Sequence, residues 1–476
     1  MAQLSKSNLT AGVLKALGIF GGVQMINIIC SLLRTKLIAI WIGAVGVGLF
    51  GIYNSVIDLL NIIFNLGIRD SAVRDIAAAK KSTLSQLIII VRRWSLILGT
   101  IGLIAIIALS PLLSTFTFND SNHIYAFIAI AFIIFLTSIQ NGELAILQGT
   151  KQLNQLAKAS MWGAIIGVLL SIPMFYFWGI DSVIPALIIF SLSTLGAVIF
   201  QRIKIPNPKP QISISETINK GRSFISLGIF LTISAIANNL VTYLFLTYLN
   251  NVADTSTVGH YQAGFTLVNK YMGILFTAII MEYYPRLSQV SNSRLRTSVF
   301  VSHEMSIALW VLLPVIAIFI ASSKLIITIL YSSEFLTILP FIIWAVIGTV
   351  FRAISWCMSF TILARGDGKI LIITELLSAL TCITLNILSY NYWGLDGLGF
   401  AYVIWYLIYT IIVWLVYRYR FHLSLGKNLS QLAILVIGSA LLCVLGYIYF
   451  GWYIPAIIAI IALPYSIKHI LNRRKA

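Results

Sequence analysis

Apolar runs of about 20 residues recur along this 476-residue chain, separated by short basic stretches. A run of that kind is what an α-helix needs to cross the roughly 30 Å hydrocarbon core of a bilayer, where every backbone polar group must be satisfied within the segment. A soluble fold cannot use so many, because its surface must meet water. Here 59% of residues are hydrophobic and 10% are charged, against about 25% charged in a soluble domain. The expected fold class is therefore all-α: a polytopic membrane protein with no separate soluble domain.

Charged, proline and Gly/Asn breaks divide the chain into fourteen predicted helices. They lie near residues 10–40, 47–66, 87–109, 124–147, 157–178, 182–201, 223–249, 257–283, 299–320, 335–363, 370–390, 396–417, 430–449 and 453–471. The loop charges test that division. Of 32 Lys and Arg residues, 24 fall in loops on the side of the N-terminus, and the opposite loops carry only Lys324. Because Lys and Arg are retained in the cytoplasm, both termini are expected to be cytoplasmic. The net charge of +18 thus reads as topology, and no nucleic-acid partner is expected. The start of the chain shows no short apolar stretch ending in a small-residue cleavage site, so no cleaved signal is read.

Two segments repeat. Trp178-Gly179-Ile180-Asp181 opens the sixth helix and Trp393-Gly394-Leu395-Asp396 opens the twelfth. Upstream, Leu147-Gln148-Gly149-Thr150-Lys151 and Leu363-Ala364-Arg365-Gly366-Asp367-Gly368-Lys369 end the fourth and tenth, again at an offset near 215 residues. The expected organisation is a six-helix half over 1–201, a basic linker over 202–222 and a second half over 223–417. Residues 418–476 would add two further helices outside the repeat. Two six-helix halves keep the same orientation, a parallel repeat suited to alternating access.

A charge at the bilayer centre costs about 2.5–3.5 kcal/mol on insertion scales, so it faces a cavity or a partner. Of the seven bases inside predicted helices, Lys15, Arg92 and Arg93 lie near cytoplasmic ends and read as snorkelling anchors. Four lie deeper: Arg34, Lys36, Lys270 and Arg352. Asp58, central in the second helix, is the one acid at that depth. Glu143, Glu282 and Glu375 sit nearer cytoplasmic ends. A pathway with this excess of cations suits an anionic substrate, and guanidinium groups match phosphate oxygens. The competing reading is four separately paired structural charges.

Other motifs are weaker. Gly46-Val47-Gly48-Leu49-Phe50-Gly51 fits a dinucleotide-binding pattern, but no strand precedes it, so helix-turn packing is expected. There is no Walker A loop. Cys30, Cys357, Cys382 and Cys443 have neither ligand spacing nor a disulfide pattern, and read as small buried hydrophobes. His123, His260, His303, His422 and His469 are scattered near helix ends. No cofactor, metal or catalytic set is expected.

Three segments carry a family resemblance. Leu37 to Gly51, Leu66-Gly67-Ile68-Arg69-Asp70-Ser71-Ala72-Val73-Arg74 and Tyr283-Tyr284-Pro285-Arg286-Leu287-Ser288 resemble the O-antigen and polysaccharide flippases of the multidrug/oligosaccharidyl-lipid/polysaccharide superfamily. The resemblance covers essentially the whole chain. It implies a non-enzymatic carrier in a bacterial inner membrane. Such a carrier moves an undecaprenyl-diphosphate-linked oligosaccharide from the cytoplasmic to the periplasmic leaflet, with a polysaccharide polymerase and chain-length proteins as partners. Many members have twelve helices; fourteen departs from that. On this reading Arg34, Lys36, Lys270 and Arg352 attract the diphosphate or acidic sugars, with Asp58 as partner or coupling residue. Arg69, Asp70, Arg74, Glu143, Glu282 and Glu375 are candidates for gating or coupling. The rivals are a cation-coupled drug exporter of the same superfamily, and a polytopic glycosyltransferase or polymerase.

Overall fold

The computed structural model describes residues 2–202, 213–273, 283–284 and 286–475. Glu282 and residues 203–212 of the expected linker, including Pro206, Pro208 and Pro210, lie outside the described residues. Every regular element among those described is helical. The chain is an all-α polytopic membrane protein. It forms two compact units, Met1–Val258 and Gly259–Ala476.

Unit 1 contains α1 (Ala2–Trp41), α2 (Ala44–Asn65), α3 (Ile68–Ala78), α4 (Lys81–Phe118), α5 (Ile124–Gly149), α6 (Leu153–Trp178), α7 (Val183–Arg202) and α8 (Ile214–Val252). Helix α9 (Thr255–Phe265) leads into unit 2 and runs on as a π-helical turn, Thr266–Tyr271. Unit 2 continues with α10 (Arg294–Leu330), α11 (Leu339–Ala364), α12 (Gly368–Leu415), α13 (Lys427–Phe450) and α14 (Tyr453–Lys475).

Nine stretches among the described residues are long and apolar enough to cross a membrane. Two of them hold a pair of helices each. Leu153–Arg202, at 50 residues, contains α6 and α7, and straightened out it would run about 75 Å, more than twice a bilayer core. Gly368–Arg420 breaks at Gly394. The expected fourteen helices also require α8, the segment from Thr255 and the shorter apolar stretch Tyr453–His469.

The sequence repeat has a backbone counterpart. Gly179 turns the chain at φ 53°, ψ −128° and Gly394 at φ 60°, ψ −146°. Only glycine enters that region without strain, which is why it recurs at both places. Lys151 N–H donates to Gln148 and Gln152 N–H to Leu147; at the same offset, Gly366 N–H donates to Leu363 and Asp367 N–H to Ile362. One departure concerns α8. The repeat counts it as the first helix of the second half, whereas it packs on α2, α3 and α4 within unit 1. At one end of α8, Tyr243 shares a 2.7 Å hydrogen bond with Thr117, and Asn250 Nδ2 donates to the Thr117 carbonyl. At the other, Arg93 donates to Thr217 Oγ1 and Trp94 Nε1 to the Thr217 carbonyl, both at 2.9 Å.

Membrane helices gain little hydrophobic energy from meeting one another, so close packing through small residues holds them. In unit 2, a Cβ on Gly399 of α12 would stand 2.6 Å from the Phe341 carbonyl oxygen of α11. Gly399→Ala should lower stability by about 1–3 kcal/mol through this overlap, measured as a fall in the thermal midpoint of the purified protein. Helices α13 and α14 pack on α10, where His469 stacks on Trp310 with ring centroids 4.4 Å apart.

The turn between α4 and α5 holds a second testable feature. His123 stacks on Phe118 at 3.8 Å, and its Nδ1 lies 2.7 Å from the Tyr53 hydroxyl. Burial pushes the His123 pKa below the ordinary histidine value, and nearby Asp120 offsets part of that. A base depressed in the folded state contributes stability above its unfolded pKa of about 6.5 and loses it as pH falls below. Between about pH 6.5 and 5, the thermal midpoint of the wild type should therefore fall more steeply than that of His123→Asn.

Candidate functional site

Unit 1 contains a cavity of about 300 Å³ lined by α1, α3, α5, α6 and α7. Arg34 enters it from α1. Its guanidinium lies 4.7 Å from the Phe50 ring centroid and 4.5 Å from that of Phe190. Aromatic faces attract a cation, and more strongly where water is displaced. The Arg34 Nε is buried with no hydrogen-bond partner. Among the described residues no carboxylate pairs with Arg34.

Arg69 lines the same cavity. The sequence counts it among the loop charges on the N-terminal side, because the strongly polar stretch 69–81 looks like a connection, and the family resemblance makes it a gating or coupling candidate. Two left-handed residues, Leu66 at φ 45° and Gly67 at φ 62°, instead end α2 and start the short helix α3. Leu66 pays roughly 1–2 kcal/mol for that conformation. The result is that Arg69, in the first turn of α3, lines the cavity beside α1. Asp70 is exposed in the same turn, and Arg74 forms an exposed 2.8 Å pair with Asp75. Neither lines the cavity.

Glu143 is 2% exposed. Arg92 grips it with two donors, Nε to Oε1 at 2.7 Å and Nη2 to Oε2 at 3.2 Å, and Arg202 Nη1 reaches Oε1 at 2.9 Å. The cluster ties α4, α5 and α7 together. It corrects the reading of Arg92 and Arg93 as snorkelling anchors: one binds Glu143 and the other Thr217. The physical reason is length. Helix α4 spans 38 residues, about 57 Å, so its arginines meet protein neighbours well before they need to reach toward headgroups.

In unit 2, Arg352 of α11 is held in place. It donates to the carbonyl and the side-chain oxygen of Asn269 and, at 3.4 Å, to the Tyr402 hydroxyl, and it lies 5.7 Å from the Tyr406 ring centroid. Asn269 belongs to the π-helical turn. A π turn shifts the backbone hydrogen-bond register, and such turns mark functional sites. Lys270 is the next residue in that turn. Glu375 of α12 accepts a 2.8 Å hydrogen bond from Tyr409. The structure thus brings Arg34 to Arg69, and Arg352 to the turn that carries Lys270. Lys36 is half-buried on α1, and Asp58 is exposed on α2; neither lines the unit 1 cavity. Of the cysteines, Cys357, Cys382 and Cys443 are buried as expected, whereas Cys30 is half-buried and lines the cavity one turn from Arg34. Among the described residues no cluster of His, Cys, Asp or Glu is arranged to hold a metal.

The profile of the polysaccharide biosynthesis protein family matches residues 42–340, well over half the chain. The chain belongs to this family. No curated protein matches the sequence. The lipid II flippase MurJ, in an inward closed conformation, superimposes with a TM-score of 0.72 at 15% identity, covering 96% of this chain and 99% of that one. An inward-facing multidrug resistance MATE family transporter of the MOP superfamily gives 0.68 at 14% identity, covering 84% and 96%. A MOP superfamily transporter from Pyrococcus furiosus, described as having a binding pocket of reverse polarity, gives 0.60 at 18% identity, covering 86% and 96%. At these identities the likeness is one of fold. This family member therefore has a MurJ- and MATE-like architecture. Of the matching sequence segments, Tyr283 is an anchor: it stacks 5.7 Å from Phe300 and donates to the Cys357 carbonyl at 2.6 Å.

Proposed function

We propose that this family member is a flippase, moving an undecaprenyl-diphosphate-linked oligosaccharide from the cytoplasmic to the periplasmic leaflet of a bacterial inner membrane. The lipid-linked unit would be a precursor of O-antigen or a related surface polysaccharide, handed on to a polymerase and its chain-length proteins. The observation that carries this reading is the unit 1 cavity, where Arg34 has no carboxylate partner among the described residues and Arg69 lies beside it. Family membership supports the polysaccharide context. The fold shared with MurJ supports translocation of a lipid-linked substrate.

Arg352 and Lys270 supply the corresponding charge in unit 2, with Glu143, Glu375, Arg69, Asp70 and Arg74 as gating or coupling residues, Glu282 with them outside the described residues, and Lys36 and Asp58 flanking the pathway. A membrane potential negative inside assists export of an anion by about 2.3 kcal/mol per charge per 100 mV. The fold match to MATE transporters favours one second reading, a cation-coupled drug exporter. A cationic cavity opposes it, since a bound drug cation would meet Arg34 at close range.

Deleting the gene separates the two. The flippase reading expects lipid-linked repeat units to accumulate facing the cytoplasm and surface polysaccharide to be lost, with drug tolerance unchanged. Normal polysaccharide with lowered drug tolerance would overturn it.

A further inference from the structure

We infer that the unit 1 cavity is a subsite for one acidic sugar, a pyranose carrying a carboxylate of the hexuronate type. This rests on the flippase reading and names part of its substrate. Size is the first argument. At about 300 Å³ the cavity stands at the lower edge of the roughly 300–1,000 Å³ of small-molecule sites. That is room for a single ring within the cavity.

Charge and hydrogen bonding decide the kind of ring. Arg34 is fixed between Phe50 and Phe190, with Nε buried and unpartnered. A positioned guanidinium binds a planar carboxylate through two parallel N–H donors. Arg69, from α3, supplies a second cation to the lining. The remaining polar lining is neutral: Asn27, Ser31, Gln140, Ser160 and Thr194. The Thr194 hydroxyl lies 2.9 Å from the Ser191 carbonyl and 3.1 Å from Gln140 Oε1 and shares its one proton between them, while the Gln140 amide nitrogen keeps its own donors. Five neutral amide and hydroxyl groups beside two cations match a ring with one negative charge and several hydroxyls. A diphosphate has no hydroxyl pattern to use the neutral groups, which a sugar ring has. The diphosphate of the lipid carrier also stays near its polyprenyl chain, while the sugars extend away from it.

Cys30 supplies the readout. It lines the cavity half-exposed, and the other three thiols are buried. The full-length protein in detergent is treated with a small methanethiosulfonate reagent, and Cys30→Ser confirms which thiol reacts. Sodium glucuronate at ten times its Kd should slow the reaction about tenfold by occupancy, while glucose and inorganic pyrophosphate at equal concentration leave it unchanged. Arg34→Gln should abolish the protection with Cys30 still reactive. Arg69→Gln should weaken it, and this variant carries the test if Arg34→Gln does not fold. Protection by glucose as strong as by glucuronate would overturn the assignment, as would protection by pyrophosphate alone, or by none of the three. Because the assay reads occupancy without transport, it stands apart from the flippase reading. Glucuronate protection in a protein that moves no lipid-linked oligosaccharide would refute only the flippase. Transport without protection would refute only the subsite.

Discussion

Glu143→Ala is expected to destabilise unit 1 by about 3–5 kcal/mol, the range for removing one partner from a buried ion pair. The carboxylate is 2% exposed and receives both Arg92 and Arg202. Its loss leaves two guanidinium groups facing each other with no intervening anion, so repulsion adds to the desolvation already incurred. Glu143→Gln should be milder, because an amide oxygen still accepts from Arg92 while the charge is gone. The double variant Glu143→Ala, Arg202→Ala should recover part of the loss by removing one of the two stranded cations. Thermal midpoints of the purified proteins measure all three. A single variant within about 0.5 kcal/mol of the wild type, the ordinary range for surface changes, would mean that the cluster does not hold α4, α5 and α7 together.

Arg34→Gln should act the other way round, with a small effect on folding and a large one on transport. The side chain has no carboxylate partner among the described residues, so its removal strands no charge. What disappears is a charge-assisted contact to the substrate, about 1.5–3 kcal/mol, equivalent to roughly ten- to a hundredfold in export rate at limiting substrate. Arg34→Lys should recover part of it, since an ammonium keeps the charge and loses the fork. Pulse-labelled surface polysaccharide, normalised to protein level, gives the measurement. Export that holds within twofold in Arg34→Gln would remove this residue from the pathway.

The two sites differ in how much of them was legible beforehand. Apolar run length read the membrane class and all-α character directly, because bilayer thickness acts on the sequence without intermediaries. Gly179 and Gly394 were found as repeated letters, and each proved to be a left-handed turn that only glycine makes cheaply. Helix α3 was missed, because a short amphipathic helix with four charges has the composition of a loop. Arg69 was a gating or coupling candidate through the family resemblance, but its place in the cavity lining depends on the turn at Leu66 and Gly67 that starts α3. Depth along a helix set Arg34 apart from Arg92, and their surroundings differ: Arg34 lines the cavity and Arg92 binds Glu143. The partners were another matter. Glu143 lies some 50 residues from Arg92, and Phe190 lies far beyond Arg34, and one sequence contains no term linking such positions. The same gap explains α8. Its sequence counts it into the second half, while Thr117, Asn250 and Tyr243 bond it to α4.

The most direct test of a flippase is sidedness in a purified system. Proteoliposomes holding only this protein and a fluorescent undecaprenyl-diphosphate-linked oligosaccharide are probed with a membrane-impermeant glycosidase. The account predicts that, with a potential imposed, the protected fraction becomes accessible from the opposite leaflet in the wild type and much more slowly with Arg34→Gln. Equal rates in wild-type, Arg34→Gln and protein-free vesicles would contradict it.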